Sequence, residues 1–112
     1  MRNIIIKPGA SLSGLKIQMR PVLMCADDVW AEYGRPLVVT SGTDGAHSPG
    51  SMHYYGYALD FRTRYFSGPK EVSQIVRKLR DKLATVSCGY TVLAHSTHIH
   101  VHFKTTEILN GK

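Results

Sequence analysis

A chain of 112 residues, 43% of them hydrophobic, has the size and apolar content of one ordinary domain spanning 1–112, with one core and no room for a second. No apolar run approaches the roughly 20 residues that cross a bilayer, and "NIIIKPG" is too short for a signal peptide, so neither a membrane span nor an export signal is expected. The net charge of +6 favours polyanionic neighbours, but its carriers gather at "RTR" and along "KEVSQIVRKLRDKLA", which is the pattern of a solvated helix face and argues against a nucleic-acid module.

In chain order, "NIIIK" has the look of a strand, and a Pro-Gly turn leads from it toward "MRPVLMCADDVWAEYGRP". Pro21 suits the first turn of a helix, Val22, Ala26, Val29, Trp30 and Tyr33 recur at helical spacing, and Gly34 ends it. "PLVVTSG" is a β-branched run that predicts a buried strand. "TDGAHSPGSMHYYG" is too rich in Gly, Ser and Pro for regular structure, and "YALDFRTR" after it alternates like a strand. "GPKEVSQIVRKLRDKLA" carries Val72, Ile75, Val76, Leu79 and Leu83 on one helical stripe. "GYTVLAHSTHIHVHF" predicts a two-stranded hairpin, and 104–112 a tail. Cys25 and Cys88, far apart and outside any C-x-x-C pair, are expected to be small buried hydrophobes. The fold expected is α+β, a small and mostly antiparallel sheet with two main helices on one side.

The chemistry concentrates in the last strand, where His98, His100 and His102 share one face and Ile99, Val101 and Phe103 the other. A row of imidazoles needs a metal or hydrogen-bond partners. Upstream, "SMHYYGYALDF" places His53 and Asp60 seven positions apart around Gly56, which permits a tight turn that brings loop imidazole and strand carboxylate together. H-x6-D alone is a weak pattern. Joined to the downstream His-x-His it supplies two histidines and a carboxylate, a set that suits Zn²⁺ with one position open to water.

These residues carry a resemblance. "TSGTDGAHSPGSMHYYGYALDFRTR" followed by "HIHVHF" resembles the small zinc peptidases of the D-Ala-D-Ala carboxypeptidase group, particularly compact phage endolysins that cut peptidoglycan peptides, in a superfamily shared with lysostaphin, murein endopeptidases and the hedgehog domain. The similarity runs from Leu12 to Phe103 and rests on S-x-H-x-x-G-x-A-x-D, filled here by Ser51, His53, Gly56, Ala58 and Asp60. The resemblance implies a hedgehog/DD-peptidase-like fold, a zinc cofactor held by His53, Asp60 and His100, and a peptidoglycan peptide as substrate. It also exposes a departure: where the group carries acids before its last ligand, this chain has Thr97 and His95. Murein endopeptidases of the superfamily show H-x-x-H-x-H instead, matched by His95, His98 and His100, and an ordinary imidazole, with a pKa near ~6.5, serves as a general base at neutral pH.

His98 is therefore the expected base, with His95 as its assistant, although His95 lies on the opposite strand parity and needs a bend at Ser96-Thr97 to reach the site. Arg62, Ser51 and His47 are the candidate substrate contacts; Arg62 and Arg64 present guanidinium forks that match a carboxylate, with ordinary surface charge as the alternative. His102 is expected beyond the site, supporting a ligand or simply at the surface. No Asp-His arrangement accompanies Ser41 or Ser51, which sets aside a serine nucleophile. A zinc-binding module that has lost catalysis is the competing expectation.

Overall fold

The computed structural model describes residues 3–44 and 56–104. Its elements are β1 (Ile4–Ile6), a 3₁₀ turn (Ile17–Met19) running into α1 (Arg20–Glu32), β2 (Leu37–Ser41), β3 (Ala58–Arg62), α2 (Pro69–Ala84), β4 (Tyr90–Ala94) and β5 (His98–Phe103). One five-stranded sheet has the order β1-β2-β3-β5-β4, parallel at β1–β2 and antiparallel elsewhere. The α+β architecture with a mostly antiparallel sheet and two helices is as the alternation of helical and strand periods predicts. Among the described residues no helix is long and apolar enough to cross a membrane.

Alternation decides which face of the sheet is core. Leu37 and Val39 of β2, Leu59 and Phe61 of β3, Val92 of β4, and Ile99, Val101 and Phe103 of β5 join one buried cluster. Into it α1 inserts Val22, Ala26, Val29 and Trp30, and α2 inserts Ile75, Val76, Leu79 and Leu83, so both helices cover the same face. Each such large side chain contributes about 1.5–3 kcal/mol of burial. The opposite face carries the intervening polar residues of β3 and β5, and the site is built there.

Trp30 couples the two layers. Its indole packs edge-on against Phe61 and Phe66, with centroids 5.8 and 5.7 Å away, and its Nε1–H donates to the Arg62 carbonyl at 3.2 Å. That bond holds the end of β3 where the charged side chain of Arg62 emerges on the other face. The exposed edge of β4 is occupied by Arg80, whose guanidinium donates to the Val92 carbonyl at 2.7 Å. Another basic residue of α2, Lys78, pairs with Glu32 at 2.9 Å, in keeping with a solvated helix face.

The segment 10–16 clasps both ends of the β2–β3 connection. Asp44 accepts the N–H groups of Ser11 at 2.9 Å and Gly42 at 2.7 Å, while the Lys16 N–H donates to the Gly56 carbonyl at 3.0 Å. Gly56 has φ +81°, and a Cβ there would stand 2.4 Å from the Gly14 carbonyl oxygen. The turn that the sequence assigns to Gly56 thus requires glycine for conformation and for space. Gly56→Ala is expected to lower stability by at least about 1–2 kcal/mol from the left-handed conformation alone, with the backbone clash added, as read by urea denaturation.

One expectation is corrected. Cys88 is exposed and Cys25 only half-buried, because Cys88 falls in the turn after α2 and Cys25 at the margin of the helix stripe. The bend at Ser96-Thr97 that His95 needs is formed. Ala94 pairs with Ile99, and the His95 N–H donates to the His98 carbonyl at 2.8 Å, so Ser96 and Thr97 form a two-residue hairpin turn. His95 stands across the strands from His98, and cross-strand partners share a face whatever their parity along the chain.

Candidate metal centre

Strands β3 and β5, with His95 just past the end of β4, contribute to a patch of imidazoles and one carboxylate. In the β3–β5 ladder, Asp60 is the register partner of His100, Arg62 of His98, and Ala58 of His102. The alternation that buries Ile99, Val101 and Phe103 turns His98, His100 and His102 to the other face, where each is partly exposed. Across β4, His95 brings its ring to 4.9 Å from that of His98 and 6.2 Å from that of His100.

Asp60 is the hub. Its Oδ1 lies 2.8 Å from His100 Nδ1, and its Oδ2 lies 3.8 Å from His98 Nε2. The carboxylate only accepts, so His100 Nδ1–H is the donor in that contact. The outer nitrogen of His100, Nε2, is 3.0 Å from His102 Nδ1. Thr97 Oγ1 lies 3.3 Å from His98 Nδ1. Both nitrogens of His100 are thus engaged, by a carboxylate on one side and a second imidazole on the other. With side-chain exposure of 15% for Asp60 and 18% for His100, the pair is largely withdrawn from solvent, whereas His98 at 32% is more open.

The donor chemistry fits zinc at two positions. Two ligands of a tetrahedral zinc at about 2.0–2.1 Å from the metal stand roughly 3.3 Å apart. Asp60 Oδ1 and His100 Nδ1, at 2.8 Å, therefore need to part by only a fraction of an ångström, within reach of side-chain torsions. Among the described residues no three His, Cys, Asp or Glu side chains are grouped to hold one ion. His53, the expected third ligand, lies outside the described residues, as do Ser51 and His47. The ends of that segment, Asp44 and Gly56, are described and anchored as above.

Of the expected site residues, Asp60, His95, His98 and His100 are brought together, and Arg62 stands beside His98 as its cross-strand partner. His102 was expected to support a ligand or to lie at the surface; it touches the outer nitrogen of His100. Sequence reasoning missed Lys7 and Thr40 as neighbours of His98, with which they line a pocket together with Thr97, Arg62 and Arg64. Their strands are distant in sequence, and only the sheet order reveals them.

No protein-family model, curated protein or solved structure matches this chain.

Proposed function

We propose that the protein is a zinc-dependent peptidase that hydrolyses peptide bonds of bacterial peptidoglycan, a lysin of the D-Ala-D-Ala carboxypeptidase type with a hedgehog/DD-peptidase-like fold. The observation that carries this reading is the cross-strand pair Asp60–His100, with its 2.8 Å Oδ1–Nδ1 contact, beside an imidazole 3.8 Å from the same carboxylate. Asp60 and His100 would hold the ion together with His53. Zinc bound there supplies a Lewis acid for the scissile carbonyl and an acidified water as nucleophile.

The protein's own residues do the rest. Were His100 to hold the ion through Nδ1, its proton would sit on Nε2, and His102 Nδ1 stands 3.0 Å away to accept it. His98 would take the proton of the attacking water and return it to the leaving amine. In the tautomer suited to that task Nδ1 carries the proton and Thr97 Oγ1, 3.3 Å away, accepts it, leaving the Nε2 lone pair turned toward Asp60. Thr97 thereby serves an orienting role at a position where related peptidases carry an acid. His95 borders His98, its ring 4.9 Å from that of His98.

His102→Ala is expected to weaken zinc binding about 10–100-fold, the usual cost of losing a ligand's hydrogen-bond partner, as read by chelator competition. The function itself is tested by incubating the zinc-saturated protein with purified peptidoglycan and looking for new amino termini by mass spectrometry. The threonine in place of an acid favours a second reading, a zinc-binding module without turnover. New termini would exclude it; zinc uptake with intact peptidoglycan would establish it.

A further inference from the structure

One row of the helix-free face crosses four neighbouring strands. Lys7 follows β1, its N–H bonded to the Val39 carbonyl at 2.9 Å; Thr40 lies in β2, Arg62 in β3 and His98 in β5. Thr40 follows core-facing Val39 and Arg62 follows core-facing Phe61, so both turn outward. Arg64 and Thr97 sit just past the strand ends, where the Thr63 N–H donates to the Thr97 carbonyl at 3.1 Å. These six residues line a pocket of about 150 Å³.

Its chemistry is one-sided. Three of the six are cations, two offer hydroxyls and the sixth is His98; among the described residues no carboxylate lines the pocket. Among the described residues the ion pairs involve Lys78, His98 and His100, never Lys7, Arg62 or Arg64. A concave site walled by one sign of charge concentrates counter-ions, and paired guanidinium forks select planar oxyanions. The Asp60–His100 pair lies one row further along the same strands, two residues or about 6.6 Å away. That distance is the span of one to two peptide units.

We infer that this pocket binds a peptide carboxylate placed one or two residues from the bond presented to Asp60 and His100. Arg62 and Arg64 grip its two oxygens, Lys7 adds charge, and Thr40 and Thr97 donate hydroxyls. What happens at the neighbouring centre rests on the peptidase reading; recognition of the carboxylate does not.

The test is an NMR titration of the full ¹⁵N-labelled chain, zinc-saturated and metal-free, with N-acetyl-D-alanyl-D-alanine, with its C-terminal amide, and with the α-amide of N-acetyl-D-glutamate. The acid is expected to shift the Arg62 and Arg64 Nε–H and Thr97 amide signals. The amide is expected to bind about ten- to hundredfold more weakly, the loss of a charge-assisted contact. A shift with the glutamate amide assigns the pocket to a side-chain carboxylate, and its absence assigns it to a chain terminus. Arg62→Gln and, at exposed Lys7, Lys7→Gln should each weaken the acid and leave the amide unchanged, raising KM more than they lower kcat wherever a peptide is cut. Equal binding of acid and amide, with no effect of either substitution, would overturn the inference even if peptides are hydrolysed. Selective carboxylate binding without hydrolysis would instead leave the pocket standing and remove the peptidase proposal.

Discussion

If the protein is the proposed zinc peptidase, His98→Ala is expected to leave zinc content unchanged and to lower peptide turnover about 10²–10⁴-fold, the range usual for loss of a general base. His98 Nε2 stands 3.8 Å from Asp60 Oδ2, too far for a hydrogen bond yet close enough for one water to bridge them. Its removal takes away no proposed ligand, and the core side of β5 is untouched, so folding and metal binding persist. His95→Ala provides the contrast. Its ring is 6.2 Å from that of His100, against the direct approach of His98 to Asp60, and a loss of less than about tenfold is expected. Full activity in His98→Ala together with a dead His95→Ala would transfer the role of base to His95.

On the proposed reading, Asp60→Ala and His100→Ala are each expected to abolish zinc binding and turnover together. Each removes one of the two donors that the β3–β5 register holds face to face. Elemental analysis of the purified proteins reports the metal directly. Thermal unfolding gives an independent readout: zinc bound at 100 times its Kd would stabilise the wild type by about 2.7 kcal/mol, a rise in Tm on the order of 10 °C for a domain of this size. Neither variant should show that rise. Asp60→Asn keeps the shape and removes the charge, so its failure to gain stability from zinc would separate the ligand role from packing. A wild type that takes up no zinc would remove the whole reading.

Much of this was legible in the sequence because period and chemistry coincide in β5. The same six residues announce a strand, its core face and a row of imidazoles. Helix α2 was equally plain, since Ile75, Val76, Leu79 and Leu83 repeat without interruption. What could not be read is whatever depends on strand order. Asp60 opposite His100 is a register fact, separated by 40 residues. The approach of Lys7 to Arg62 and His98 needs β2 between β1 and β3, and nothing local encodes that. His95 shows the limit of counting: parity along a single strand put it on the wrong face, and a two-residue turn returned it. Cys88 shows another, since a small apolar residue beside a turn carries no periodicity from which burial can be inferred.

The shared residues of β5 tie the fate of the site to that of the core. A slip of one position against β3 would push His98, His100 and His102 among the aromatic and aliphatic side chains of the helices, and expose Ile99, Val101 and Phe103. The three exposed side chains alone would forfeit about 1.5–3 kcal/mol each. The hydrophobic layer therefore acts as a jig: it sets the spacing of the imidazoles before any ligand arrives. Substitutions that merely soften the core beneath β5 should blur the centre without touching it, so tolerance to mutation at Ile99 and Val101 is expected to be as narrow as at the histidines between them.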